Sequence, residues 1–201
     1  MGKINRTKLL DRQHDRRDAK LFIVATEGKE TEKQYFGMFH STRIKVEVLS
    51  TGDDGNSAPQ YVLERLNTFK EQYNLNEDDM LWLVLDVDRW GAKNLSMVCR
   101  QAKQKGYHLA VSNPCFEIWL CLHFEDLNPE YKTCQDFKSR LRTLLGSYNS
   151  SNLDLSLYKP NIVDATNRAK LLHSKSQHNW PPTLGTHVYR LVEILLQSLS
   201  N

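Results

Sequence analysis

The sequence predicts an α/β protein, in which a mainly parallel sheet is flanked by helices and followed by a helical C-terminal extension. Short apolar runs alternate with helical patterns as far as residue 111, and strands linked through helices pair in parallel. Two of these runs, MLWLVL and YHLAV, are apolar almost throughout, which is typical of strands covered on both faces. From Asn113 onward the patterns are helical, so we expect no strand in the extension.

Each element of the α/β part follows from its own pattern. The run LFIVAT is apolar and rich in β-branched residues, whereas RIKVEVL alternates between apolar and charged side chains, and both patterns favour strands. Tyr61, Leu66 and Phe69 are among apolar positions that recur at helical spacing. We therefore predict strands at residues 21–26, 43–49, 80–85 and 107–111, and helices at residues 31–40, 59–73 and 94–105.

The extension is predicted to be helical. The apolar segment PCFEIWLCLHF begins with Pro114, which the first turn of a helix tolerates because the missing N–H has no partner there. A stripe of apolar side chains at helical spacing marks the last helix. We expect helices at residues 114–124, 134–145, 162–173 and 186–199, with a polar loop at 146–156. The chain then divides into a basic arm (1–20), an α/β core (21–131) and a helical extension (132–201).

Composition places the chain among ordinary globular proteins. Of its 201 residues, 40% are hydrophobic and 25% are charged, which excludes collagen-like and disordered classes. No apolar run approaches the roughly 18 residues of a membrane span. Residues 1–20 lack the apolar core of a signal peptide, so we expect a cytoplasmic protein with no membrane partner. The four cysteines form no CxxC pair, and we expect them to be reduced, structural thiols.

Charge is distributed unevenly along the chain. The net charge is +4 over residues 1–20, −6 over residues 21–131 and +5 over residues 132–201, which together give the overall +3. An acidic centre between basic flanks suits a carboxylate site that binds a cation and acts on a polyanion. A solvated arm and a mildly basic helical tail would give the same pattern.

Acidic residues follow two of the predicted strands. Glu27 comes after the first, and Asp86 and Asp88 come after MLWLVL. The carboxyl ends of parallel strands meet at one edge of a sheet, where ligands bind. Carboxylates two residues apart on an extended segment project to the same side and can hold one hard divalent cation, with Glu27 as a third ligand or a proton-transfer group. We expect Mg²⁺ or Mn²⁺ there. As separate residues, they could equally be turn formers or helix caps.

Glu117 is the fourth candidate, because it lies within a strongly apolar helical segment. A carboxylate among apolar neighbours is costly unless it is paired or binds a metal. His123, about 120° further round the same helix, is better explained as a core histidine. Three basic residues next to the acidic cluster could bind substrate phosphate or could be ordinary surface cations: Lys29, Arg89 and Lys93.

Several common sites are absent from the sequence. It contains no GxxxxGK[ST], GxGxxG or GxSxG segment, so a phosphate loop, a dinucleotide fingerprint and a nucleophile elbow are all excluded.

Longer segments resemble a known family. Glu27-Gly28-Lys29 together with Asp86-Val87-Asp88 resembles the signature of Toprim domains, which occur in topoisomerases, primases and several nucleases. The segments TEGKETEKQYF, SNPCFEIWLCLHF and PPTLGTHVYRLVEILL resemble the RloB-like proteins of bacteria and archaea, and this similarity extends over nearly the whole chain after residue 20. The segment ending at His187 departs from the family pattern, so we assign that histidine no role.

This resemblance implies a function and a set of site residues. RloB-like proteins resemble the Toprim part of abortive-infection systems that pair a nuclease with an ATPase. The resemblance implies that Glu27 is a metal ligand or general acid/base, that Asp86 and Asp88 coordinate magnesium, and that Glu117 is the glutamate of the N-P-x-F-E motif. We therefore expect a metal-dependent nuclease acting on DNA or RNA in antiphage defence, with an ATPase partner. The alternative is a non-catalytic Toprim-fold partner or sensor in a complex with an ATPase.

Overall fold

The computed structural model describes residues 3–5, 19–52, 55–87, 90–173 and 178–200. Its strands are β1 (Ile4–Asn5), β2 (Lys20–Thr26), β3 (Ile44–Leu49), β4 (Tyr73–Asn74), β5 (Met80–Asp86), β6 (His108–Asn113) and β7 (Gly185–Thr186). Its α-helices are α1 (Thr31–Gly37), α2 (Pro59–Gln72), α3 (Gly91–Gln104), α4 (Glu117–Cys121), α5 (Cys134–Leu145), α6 (Leu155–Tyr158), α7 (Ile162–His173) and α8 (Val188–Ser200). None of the helices in these ranges is long and apolar enough to cross a membrane.

A five-stranded sheet forms the centre of the fold. Its strand order is β3-β2-β5-β6-β7, and the first four strands pair in parallel. Helices cover both faces, so the predicted α/β class is confirmed. A separate parallel pair joins β1 to β4, and most of the basic arm at residues 1–20 lies outside the described residues.

The two faces of the sheet pack into two different cores. In β2, Phe22 and Val24 pack with side chains of α1 and the helical extension, whereas Leu21, Ile23 and Ala25 pack with side chains of α2 and α3. Successive side chains of a strand point to opposite faces, so a strand covered on both sides is apolar at every position. This is why the central strands are continuous apolar runs.

The extension contributes a strand that the sequence does not predict. Gly185 and Thr186 of β7 pair antiparallel with Asn113 and Ser112 at the end of β6. The hydroxyl groups of Ser112 and Thr186 lie 2.9 Å apart. The expectation that no strand follows Asn113 is therefore wrong, because a two-residue strand is too short to produce an alternating pattern.

The segment at residues 114–124 is less helical than predicted. α4 begins at Glu117, so Pro114 does not occupy its first turn. The carbonyl oxygen of Pro114 instead accepts a hydrogen bond from the backbone N–H of Val87 at 3.0 Å, which joins this segment to the end of β5. Its next turn closes with a three-residue hydrogen bond from Ile118 N to the Cys115 carbonyl at 3.1 Å. In addition, α6 begins inside the predicted loop at 146–156.

Two of the four cysteines are not reduced thiols. Cys115 and Cys134 form a disulfide, with Cα atoms 5.8 Å apart, which corrects the prediction for this pair. The fold brings them within the usual Cα separation for a disulfide, although their spacing of 19 residues matches no sequence motif. Cys99 and Cys121 are free and buried, as expected.

Candidate functional site

A small pocket lies where β2 and β5 end and α4 begins. Its volume is about 180 Å³. Among the described residues, four carboxylate side chains share its wall with one basic side chain, that of Lys138. The described residues that line it are Glu27, Gly28, Thr31, Glu32, Ser57, Asp86, Cys115, Phe116, Glu117, Cys134, Lys138 and Ser150.

Sheet register brings Glu27 next to Asp86. Thr26 pairs with Val84 across β2 and β5, and the next residue, Glu27, donates its backbone N–H to the Val84 carbonyl. The Glu27 carboxylate accepts a hydrogen bond from the backbone N–H of Asp86 at 3.2 Å through Oε2. Its Oε1 accepts one from the indole N–H of Trp90 at 2.7 Å. Glu27 is therefore a buried, oriented carboxylate at the carboxyl edge of the sheet.

The backbone beneath Glu27 is held by a buried polar network. The Thr51 hydroxyl donates to the Glu27 carbonyl at 2.7 Å. The Arg65 guanidinium donates to the Thr26 carbonyl at 2.6 Å and to the Thr51 hydroxyl at 3.2 Å. The Thr26 hydroxyl donates to the Gly28 carbonyl at 2.9 Å. These contacts fix the turn that carries Glu27, since buried backbone carbonyls are costly to leave unpaired.

Glu32 adds a carboxylate that sequence analysis does not identify. It lies in the first turn of α1, is 4% exposed, and accepts a hydrogen bond from the Gly28 backbone N–H at 3.0 Å. A Cβ atom on Gly28 would overlap this carboxylate, so any larger residue there would force the Glu32 side chain to move. Burial, together with the nearby charges of Glu117 and Glu27, raises the pKa of Glu32 to about 7.

Glu117 is held by two side chains of the helical extension. Its Oε1 accepts a hydrogen bond from the Tyr148 hydroxyl at 3.2 Å, and the Lys138 ammonium lies 3.4 Å from the same oxygen. Burial and the charge of Glu117 raise the pKa of Tyr148 far above its usual value, so this tyrosine remains a neutral donor. The buried carboxylate is thus paired, as its apolar surroundings require.

The other predicted residues lie in different places. Asp88 and Arg89 are outside the described residues. Lys29 and Lys93 are exposed and do not line the pocket. His123 is a core residue: its ring nitrogens lie 3.1 Å from the Tyr35 hydroxyl and 3.0 Å from the Trp119 carbonyl, and burial lowers its pKa to about 4.

His187, to which no role was assigned, is also buried. Its backbone N–H donates to the Val111 carbonyl at 2.9 Å, which places it beside β6. It is not among the residues that line the pocket.

The pocket has the donor chemistry of a site for a hard cation. Carboxylate oxygens are the ligands that Mg²⁺ and Mn²⁺ prefer, and clustered carboxylates favour a cation among them. Within the described ranges, however, no three acidic, histidine or cysteine side chains are already arranged around a shared metal position. Both oxygens of Glu27 accept hydrogen bonds from the protein. The pocket therefore has the oxygen ligands that a hard metal ion prefers, but in the part of the chain that the structure describes they are not arranged around a metal position.

Long-range contacts explain which residues of the pocket, or in contact with its carboxylates, the sequence did not reveal. Trp90 lies two residues after the Asp-x-Asp segment and could be suspected from that position. Glu32 lies five residues after Glu27, a spacing that is equally typical of a solvated helix. Lys138 and Tyr148 come from the extension, and nothing local distinguishes them from surface residues.

Comparison with known proteins agrees with the resemblance drawn from the motifs. The family model described as "RloB-like protein" matches residues 22–195. The chain belongs to the RloB-like family. The matched region begins in β2 and ends in α8. It therefore includes the carboxylates at the edge of the sheet and the residues of the extension that contact Glu117 in this RloB-like protein. No curated protein and no solved structure matches the chain.

Proposed function

We propose that this RloB-like protein is a Mg²⁺- or Mn²⁺-dependent phosphodiesterase that cleaves DNA or RNA in antiphage defence, together with an ATPase partner. The supporting observation is the pocket at the carboxyl edge of the sheet, where the side chains of Glu27, Asp86 and Glu117 lie with that of Lys138. Acidic side chains at this edge, beside the Lys138 ammonium, suit the binding of a metal ion and a phosphate group.

Glu27, Asp86 and Glu117 would hold the metal, together with Asp88 beyond the described residues. When bound, the metal would polarise the scissile phosphate and stabilise charge on the leaving oxygen. Trp90 and the backbone N–H of Asp86 orient Glu27. Lys138 supplies positive charge beside Glu117. Basic residues of the arm and extension would bind the nucleic-acid backbone, which makes binding sensitive to salt.

The proposal is tested with Glu27→Gln and Asp86→Asn. Glutamine keeps one of the two oxygens of Glu27 that accept hydrogen bonds, so the variant loses one negative charge and one acceptor, and its folding is checked by circular dichroism. We expect both variants to lose Mn²⁺ binding, measured by calorimetry, and cleavage of labelled DNA and RNA, assayed with and without the co-expressed ATPase. Glu130→Gln is the matched control, because Glu130 is exposed in a turn and does not line the pocket. Full cleavage by folded Glu27→Gln protein, or full cleavage in EDTA, would refute the proposal.

The hydrogen bonds to both oxygens of Glu27 favour a second candidate, a non-catalytic partner or sensor subunit whose acidic pocket is structural. Such a protein would bind its ATPase equally well with Glu27 or Asp86 substituted, and it would bind no Mn²⁺. The same calorimetric measurement therefore distinguishes the two functions.

A further inference from the structure

Lys138 occupies an unusual position among the charges of the pocket. Of the described residues that line this pocket, it alone has a basic side chain, and four of the others are carboxylates. Its ammonium lies 3.4 Å from Glu117 Oε1. The Lys138 side chain is 35% exposed, whereas that of Glu117 is 9% exposed. A ligand entering from solvent can therefore reach Lys138 more easily than it can reach the glutamate.

Glu117 does not depend on Lys138 alone for its position. The Tyr148 hydroxyl donates to the same oxygen, Oε1, at 3.2 Å. The start of α5 is tied to the segment before Glu117 by the disulfide between Cys134 and Cys115. The helix that carries Lys138 therefore stays beside the pocket even if the lysine side chain turns away.

A divalent cation and the lysine ammonium compete for the same carboxylates. A metal held by Glu117 would add positive charge on the carboxylate that Lys138 contacts at 3.4 Å, and neighbouring positive groups repel each other. The phosphate of a nucleic acid supplies a new negative partner at the same place. Lysine suits this exchange, because its ammonium is a compact charge on a flexible stem.

We propose that Lys138 is a substrate-binding residue that neutralises Glu117 in the metal-free protein and transfers to a phosphate oxygen of the nucleic acid when the metal binds. This inference rests on the proposed function. No covalent bond changes in the exchange: one ion pair breaks and another forms. Tyr148 acts as the positioning residue that holds Glu117 while Lys138 moves.

The test compares Lys138→Met and Lys138→Arg with Lys132→Met, an exposed lysine just before the same helix. Mn²⁺ binding is measured by calorimetry, and binding and cleavage are measured with a short labelled oligonucleotide. Removing the competing charge should make Lys138→Met bind Mn²⁺ about tenfold more tightly. The same variant should cleave about 100-fold more slowly, because a charge that stabilises the phosphate is lost. Lys138→Arg should restore much of the cleavage.

The opposite signs of these two effects separate this role from a structural one, since a damaged pocket would bind Mn²⁺ less tightly and also cleave more slowly. Mn²⁺ binding by Lys138→Met that is unchanged or weaker than that of Lys132→Met would overturn the inference. So would unaltered cleavage. Failure of the proposed function is recognised separately, because the unsubstituted protein would then bind no Mn²⁺, or would bind it no more tightly than Glu27→Gln does.

Discussion

Replacing Glu32 with glutamine is expected to stabilise the metal-free protein at alkaline pH. The pKa of this carboxyl group is raised from 4.5 to about 7 in the folded protein. Between these two values the folded state binds more protons than the unfolded state, so the free energy of unfolding falls as the pH rises. Above pH 7 the carboxyl group is ionised in both states, and the whole cost of burying its charge is present.

The size of the effect follows from the shift. A difference of one pKa unit corresponds to about 1.4 kcal/mol, so the shift to about 7 costs about 3 kcal/mol at pH 9. Glutamine resembles the protonated acid and keeps an oxygen that can accept the Gly28 N–H. We therefore expect Glu32→Gln to equal the unsubstituted protein at pH 4 and to exceed its unfolding free energy by about 3 kcal/mol at pH 9.

The assay is urea unfolding at pH 4, 7 and 9 in EDTA, with Glu130→Gln as the exposed control. Taking the difference between variant and unsubstituted protein cancels the titration of other groups. Replacing EDTA with excess Mg²⁺ should reduce the difference at pH 9, because a cation in the pocket would lower the cost of the buried Glu32 charge. A variant less stable than the unsubstituted protein at pH 9, or a difference independent of pH, would refute the reasoning.

Three further predictions concern the framework of the site. Arg65→Met should lower the unfolding free energy by about 3 kcal/mol in urea, because the buried Thr26 carbonyl loses a donor. His123 has its pKa lowered from 6.5 to about 4, so its contribution to stability is complete above pH 6.5 and is lost as the pH falls toward 4, by about 3 kcal/mol in urea titrations. Replacing both Cys115 and Cys134 with serine should cost about 3 kcal/mol in oxidising buffer, the loop-closure value for their separation of 19 residues.

Each of these predictions has its own control. Arg142→Met removes an exposed arginine from α5, and a loss equal to that of Arg65→Met would contradict the role of the buried network. His123→Gln should flatten the acid slope relative to the unsubstituted protein, and an unchanged slope would contradict the assignment. Dithiothreitol should destabilise the unsubstituted protein but not the double serine variant, and equal responses would contradict the disulfide.

The sequence predicted the parts of the fold that depend on local pattern. β2 and β5 are covered by helices on both faces and are apolar runs. Because they are parallel, their carboxyl ends lie at the same edge of the sheet. That rule alone was enough to predict that Glu27 and Asp86 lie close together. The pairing of β7 with β6 was not predictable, because two residues carry no periodicity.

The remaining pocket residues depend on contacts between distant parts of the chain. Glu32 was missed because an acidic residue in a first helical turn is usually solvated, and its burial comes from tertiary packing. Lys138 and Tyr148 were missed because they reach Glu117 from the helical extension, Lys138 from α5 and Tyr148 from the loop after it. The disulfide joins Cys115, which precedes α4, to Cys134 at the start of α5, and only the tertiary fold brings the two together.

The antiparallel strand β7 has a consequence for synthesis of the protein on the ribosome. β2, β5 and β6 are translated before β7. Ser112 and Asn113 at the edge of β6 therefore cannot pair until Gly185 and Thr186 have been synthesised. Until then the backbone groups at that edge are open to solvent or to a chaperone. The sheet is therefore completed late in translation. Glu27, Asp86 and Glu117 are synthesised before β7, the last strand to join the sheet.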